Sequence, residues 1–127
     1  MKRATFLTAP LFLTLGLSSL AFSTAAMAHA VLVKAAPPVG GTVSASPSDI
    51  RITFSEGVEP RFSKIAVTSA DGHSVETGAA SIDPSNPAIL VVPLKTALQP
   101  GSYKVNWHAV SVDTHATQGN FSFTVKP

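Results

Sequence analysis

An all-β fold is what the sequence predicts, and three observations predict it. Several runs alternate apolar and polar residues with a period of two, the pattern of half-buried strands. The segments between them are dense in Pro, Gly, Asp and Ser, the residues that set turn dihedrals. Beyond residue 28, no window of ten or more residues holds a helical period. Short strands at this spacing pack as an immunoglobulin-like Greek-key sandwich or barrel, here of about seven strands.

The chain opens on MKRATFLTAPLFLTLGLSSLAFSTAAMA, with Lys2 and Arg3, then an apolar centre, then small residues. That order is a secretory signal peptide. The apolar run at 11–22, interrupted by Gly16, Ser18 and Ser19 and preceded by Pro10, is too short for a membrane span of roughly 20 residues. Removal of residues 1–28 after Ala28 is expected, leaving residues 29–127 as one domain that does not insert into a membrane. A cut after Ala30 fits the same small-x-small rule and would leave Val31 first.

A short strand is expected at 31–33. The first clear one is DIRITFS at 49–55, where Ile50, Ile52 and Phe54 alternate with Arg51, Thr53 and Ser55. Shorter candidates follow at 64–69 and 88–92, with Asp71-Gly72 suited to a tight hairpin between strands. SYKVNWHAV at 102–110 places Tyr103, Val105, Trp107 and Ala109 on one side, and GNFSFTVK at 119–126 does the same with Phe121, Phe123 and Val125. LQPGSY, in which Tyr103 opens a strand just after a glycine turn, resembles a tyrosine corner. Tyr103 is therefore expected to staple the backbone, and Trp107 to lie in the core.

Composition excludes several function classes. Of nine Lys and Arg, the leader removes Lys2 and Arg3, leaving seven against seven Asp and Glu. A balanced surface without a basic run argues against nucleic acid or an anionic membrane as partner. There is no cysteine, so the core alone must hold the domain, and thiolate metal sites and cysteine catalysis are excluded. Both methionines, Met1 and Met27, belong to the leader, so the mature domain carries no sulfur ligand.

The chemistry left concerns four histidines. His108 reads as a solvated residue on the polar side of its strand, and His73 as an exposed turn residue. VDTHA is different: on an extended backbone Asp113 and His115 point the same way, about 7 Å apart at strand rise. A carboxylate and an imidazole there can share a metal ion, or the carboxylate can simply orient the ring. Cleavage after Ala28 would make His29 the first residue, with an imidazole and a free α-amine. An amine, two imidazoles and a carboxylate, without sulfur, suit tetragonal Cu(II), which also heads the affinity order of the divalent ions. Zn(II) accepts the same ligands but prefers a tetrahedral set, and ligand type alone leaves Ni(II) as a competitor. These nitrogens must lose protons to bind, so capture should weaken on acidification. Ser111 lies near Asp113 and His115, but one shared strand gives poor catalytic-triad geometry.

The mature chain resembles the CopC family of periplasmic copper-binding, copper-resistance proteins. The matching stretches are HAVLVKAAPPVGG, ITFSEGVEPRFSKIAV and LQPGSYKVNWHAVSVDTHATQGNFSFTV, in order and spanning the domain. The resemblance implies a Greek-key β-barrel that holds one Cu(II) through the N-terminal histidine and a D-x-H pair, here His29, Asp113 and His115. It also places a carboxylate beside the site in the F-S-E element, here Glu56, as an outer or weak ligand. Some members hold Cu(I) on a methionine-rich loop, where this chain reads VTSADGHSVETGAAS and has no methionine. A Cu(II)-only member is therefore expected.

The function so implied is non-enzymatic: a periplasmic Cu(II)-binding protein that sequesters copper, confers resistance or passes the ion to a membrane copper transporter or another exported copper protein. Two other readings differ in class. A terminal histidine with a second imidazole resembles the copper brace of polysaccharide monooxygenases, but one Trp and one Tyr, both assigned to the core, leave little to stack on sugar. A metal-free immunoglobulin-like interaction module explains the fold but not the terminal histidine.

Overall fold

The computed structural model describes Pro10, Gly16 and residues 29–127. The expected signal peptide lies outside the described residues, apart from those two positions. Nine strands form: β1 (Leu32–Ala36), β2 (Thr42–Val43), β3 (Asp49–Phe54), β4 (Lys64–Ser69), β5 (Ser74–Val75), β6 (Ser81–Asp83), β7 (Asn86–Pro93), β8 (Gly101–Val110) and β9 (Ala116–Val125). They build two sheets, one in the order β1-β3-β7-β6 and the other β2-β9-β8-β4-β5. All pairings are antiparallel except β2 with β9. The chain crosses between the sheets five times, from β1 to β2, β2 to β3, β3 to β4, β5 to β6 and β7 to β8. Each later strand then pairs with an earlier one, β7 with β3 and β8 with β4, which is Greek-key connectivity.

The alternation read from the sequence becomes the core. Ile50, Ile52 and Phe54 of β3 and Leu90 and Val92 of β7 are buried against Ile65 and Val67 of β4, Val105 and Ala109 of β8, and Phe121, Phe123 and Val125 of β9. Trp107 packs at the margin of this core, edge-on to Phe54 with ring centroids 5.2 Å apart. Its cross-strand partner is Gly119, where a Cβ would sit 2.6 Å from the indole, so only glycine admits the ring. Tyr103 is buried, and its hydroxyl donates to the Gln99 carbonyl at 2.6 Å, the expected corner.

Seven of the nine strands have three residues or more. The two-residue strands β2 and β5 are too short for alternation to register. β1 starts at Leu32 and runs three residues beyond the expected 31–33; Val31 and Val33 are exposed, and a shift in its register with β3 interrupts the alternation. β9 starts at Ala116 rather than 119, its polar first residues being held by pairing with Val110, Ala109 and His108.

This topology gathers four strand ends at one end of the sandwich. β1 begins where β3 finishes, with Leu32 opposite Phe54, and β9 begins where β8 finishes, with Ala116 opposite Val110. The two sheets are joined there by the segment after β3: Val58 bridges to Ser111, and Glu59 N–H donates to the Val110 carbonyl at 2.8 Å.

Candidate metal centre

His29 lies just before β1, and its backbone is fastened to both sheets. On one side Ser55 Oγ accepts from Val31 N–H at 2.9 Å and donates to the His29 carbonyl at 3.3 Å, and Ser55 N–H donates to the Val31 carbonyl at 2.8 Å. On the other, Thr117 of β9 donates its hydroxyl to the Ala30 carbonyl at 2.7 Å, and Ala30 itself is fully buried. The arm therefore cannot swing freely, and it delivers the His29 ring to the end of the β8–β9 hairpin.

His115 meets it there. The two imidazoles have centroids 4.9 Å apart and stand at 75° to each other. Asp113 Oδ2 lies 3.3 Å from His115 Nδ1. The backbone carrying this pair is a turn and not the extended strand expected from the D-x-H spacing. Thr114 N–H donates to the Ser111 carbonyl at 2.8 Å, Ser111 N–H donates to the His115 carbonyl at 2.9 Å, and Thr114 has φ of 74°. A threonine in the left-handed region is uncommon and marks a turn held by its surroundings. Asp113 and His115 still face each other, but because the chain folds between them.

Sequence reasoning set aside the residue beneath this turn as a poor triad member and gave it no other role. Ser111 is fully buried, and its hydroxyl donates to Asp113 Oδ1 and accepts from His115 N–H at 3.2 Å. Hydrogen bonding from Ser111 holds the Asp113 carboxyl below its ordinary value; partial burial opposes the shift and the neighbouring His115 adds to it. The signal that could have exposed Ser111 is the spacing S-x-D-x-H.

Glu56 sits on the segment that straps the arm to the turn. Ser55, before it, bonds the arm, and Gly57, after it, accepts from Val112 N–H at 3.1 Å. Two polar atoms of the expected set, His29 Nδ1 and Glu56 Oε1, are buried without any hydrogen-bond partner. A buried polar atom without a partner costs free energy, on the order of 1–3 kcal/mol, and calls for an explanation. The structure thus brings His29, His115 and Asp113 to one end of the sandwich and sets Glu56 on the segment between them. Among the described residues, no three His, Cys, Asp or Glu side chains converge closely enough to hold an ion as they stand. His108 lies elsewhere, half-buried on β8 opposite Lys64 and Gln118. His73 lies at the β4–β5 turn with Asp71 Oδ2 2.8 Å from its Nδ1.

The fold and the residues at its end define a two-sheet β-sandwich with a histidine–carboxylate cluster where an N-terminal arm meets a hairpin turn. The chain belongs to the CopC family: the model of the CopC domain matches residues 32–126. The chain is 41% identical over 99 residues to Protein YobA of Escherichia coli strain K12, covering 78% of this chain and 80% of that protein. It is 40% identical over 107 residues to Copper resistance protein C of Escherichia coli, covering 80% and 84%. The crystal structure of CopC from Methylosinus trichosporium OB3b superposes with a TM-score of 0.72 at 34% identity, covering 78% of this chain and 95% of that one. Membership makes this a protein of a copper-binding, copper-resistance family.

Proposed function

We propose that the chain is an exported Cu(II) carrier, processed to begin at His29, that binds one cupric ion per molecule in the periplasm and performs no catalysis. The ion is its cargo. His29 supplies its α-amine and Nδ1, His115 an imidazole nitrogen and Asp113 a carboxylate oxygen, with Glu56 an outer or weak ligand. The copper would be sequestered, or handed to a membrane copper transporter or another exported copper protein.

One observation carries the reading: His29 Nδ1 is buried, unpartnered and on a ring 4.9 Å from that of His115. Nδ1 is the ring nitrogen that closes a six-membered chelate with the α-amine of the same residue. A nitrogen held there without a hydrogen bond is the donor a chelated ion needs. The unpartnered Glu56 Oε1 fits an outer role at the same end. Nitrogen and oxygen donors without sulfur favour Cu(II) over Cu(I). The amine is not a side chain, and it becomes a donor only when the leader is removed, which supplies the ligand that the side chains alone lack. Trp107 and Tyr103, the aromatics a sugar-oxidising enzyme would want on its face, are packed against Phe54 and Phe123 instead.

Titration of the His29-first protein with Cu(II) should saturate a visible d–d band at one equivalent. One extra residue before His29 should weaken binding by about a hundredfold or more, since it removes the amine and its chelate ring. Equal affinity of the extended and processed forms, or an exported protein whose intact mass places Val31 first, would overturn the proposal.

A further inference from the structure

The chain folds one five-residue turn twice. Ser69, the last residue of β4, with Ala70, Asp71, Gly72 and His73 leads into β5, and Ser111, Val112, Asp113, Thr114 and His115 join β8 to β9. In both, the serine N–H donates to the histidine carbonyl at 2.9 Å. In both, the fourth residue has positive φ, 86° at Gly72 and 74° at Thr114, and donates its N–H to the serine carbonyl, at 2.9 Å and 2.8 Å. In both, the serine hydroxyl donates to the aspartate Oδ1 while Oδ2 faces the histidine Nδ1. Two copies with one hydrogen-bond pattern in different hairpins tie this turn to the shared S-x-D-x-H spacing.

What differs is the setting. The Asp71 and His73 side chains are 64% and 84% exposed, with no second histidine beside them. The Asp113 and His115 side chains are 35% and 57% exposed, Ser111 is wholly buried, and the His29 ring closes on His115. The local motif supplies an oriented carboxylate, and only the second copy places it where another donor arrives.

We infer that Ser111 is a positioning residue for copper capture: by donating to Oδ1 it fixes the Asp113 carboxylate before any ion binds and leaves Oδ2 as the oxygen offered. The inference rests on the copper reading above and adds to it a residue that does not touch the ion. A charge-assisted bond from a buried hydroxyl is strong enough to select one carboxylate rotamer. Loss of such an outer partner costs roughly 10- to 100-fold in metal affinity.

The test is competitive Cu(II) titration of the His29-first protein, with urea unfolding of each metal-free variant and electron paramagnetic resonance of each cupric form. Ser111→Ala should bind about tenfold more weakly, with a changed copper hyperfine splitting. Ser69→Ala removes the same bonds in the other copy and should leave affinity unchanged, while its urea midpoint reports what those bonds contribute structurally. In an Asp113→Ala background, Ser111→Ala should have no further effect on affinity, because its action passes through that carboxylate. Should the alanine variant fail to fold, the isosteric pair Ser111→Thr and Ser111→Val carries the comparison. The threonine variant retains the hydroxyl and should bind about tenfold more tightly than the valine one. Wild-type affinity in Ser111→Ala, or an equal loss with and without Asp113, overturns the inference and leaves the copper reading intact. Failure of the unsubstituted protein to bind one equivalent overturns both.

Discussion

Thr114 and Gly72 occupy equivalent places in two copies of one turn, and the difference between them is measurable. Both have positive φ, which glycine adopts freely and a β-branched residue resists by roughly 1–2 kcal/mol. The exposed copy uses glycine; the copy at the candidate metal centre stores strain. Thr114→Gly should therefore stabilise the metal-free protein by about 1 kcal/mol, and Gly72→Ala should destabilise it by about 1 kcal/mol, both read from urea midpoints. A Thr114→Gly variant less stable than its parent would mean the threonine side chain makes contacts that outweigh its backbone strain. At this scale the candidate site was partly legible. His29, Asp113 and His115 stand out because their donor chemistry needs no coordinates, and Glu56 entered only through the family resemblance. Ser111 was noticed beside the pair but weighed only as a catalytic-triad member, because the D-x-H spacing was read on a straight strand, where its hydroxyl cannot reach under the carboxylate. The chain turns there instead.

The arm before β1 shows what an element contributes that single residues do not. It is held by Ser55 at the end of one sheet and Thr117 at the start of β9 in the other, so the position of His29 depends on both sheets being formed. Thr117→Val keeps shape and removes the hydroxyl, leaving the Ala30 carbonyl without that donor at a cost of about 1 kcal/mol. If the arm opens locally, the Val31 amide, bonded to Ser55 Oγ, should exchange its hydrogen about fivefold faster while core amides of β8 keep their rates. Uniform acceleration across the domain would show instead that the bond serves global stability. The elements most legible in the sequence were β3, β8 and β9, whose inward residues alternate over six to ten positions. β2 and β5 were illegible because two residues carry no period. β6 was illegible because it is a three-residue edge strand held by pairing to β7, with its register shifted at Asp83. Tertiary pairing, not local pattern, creates those three.

For the whole molecule, a chain without cysteine relies on its core and on a few carboxylates for its tolerance of acid. Asp71, Asp83 and Asp113 are held below their ordinary values, and Asp83 lies lowest, at about 2. The Ser85 hydroxyl is its main cause, followed by Arg51, whose Nη1 lies 2.7 Å from Oδ2. Arg51 belongs to β3 and Asp83 to β6, with β7 between them, so the pair reaches across a strand and ties the sheet edge to its interior. A carboxyl that binds its proton less readily when folded favours the folded state wherever the unfolded chain has lost that proton. Its contribution is therefore complete above the ordinary value of 3.8 and drains away as pH falls through about 2. The urea midpoint of the metal-free protein should accordingly fall between about pH 4 and pH 2. Asp83→Asn cannot titrate, so its midpoint should be lower than the parent's at pH 7 and should lose less over that acid range. The two curves should converge as pH falls below about 2, where the parent's carboxylate becomes protonated in the folded state as well as the unfolded one. Parallel curves with a constant offset would show that Asp83 acts through packing or neutral hydrogen bonds, and that the acid response of the domain resides in other carboxylates.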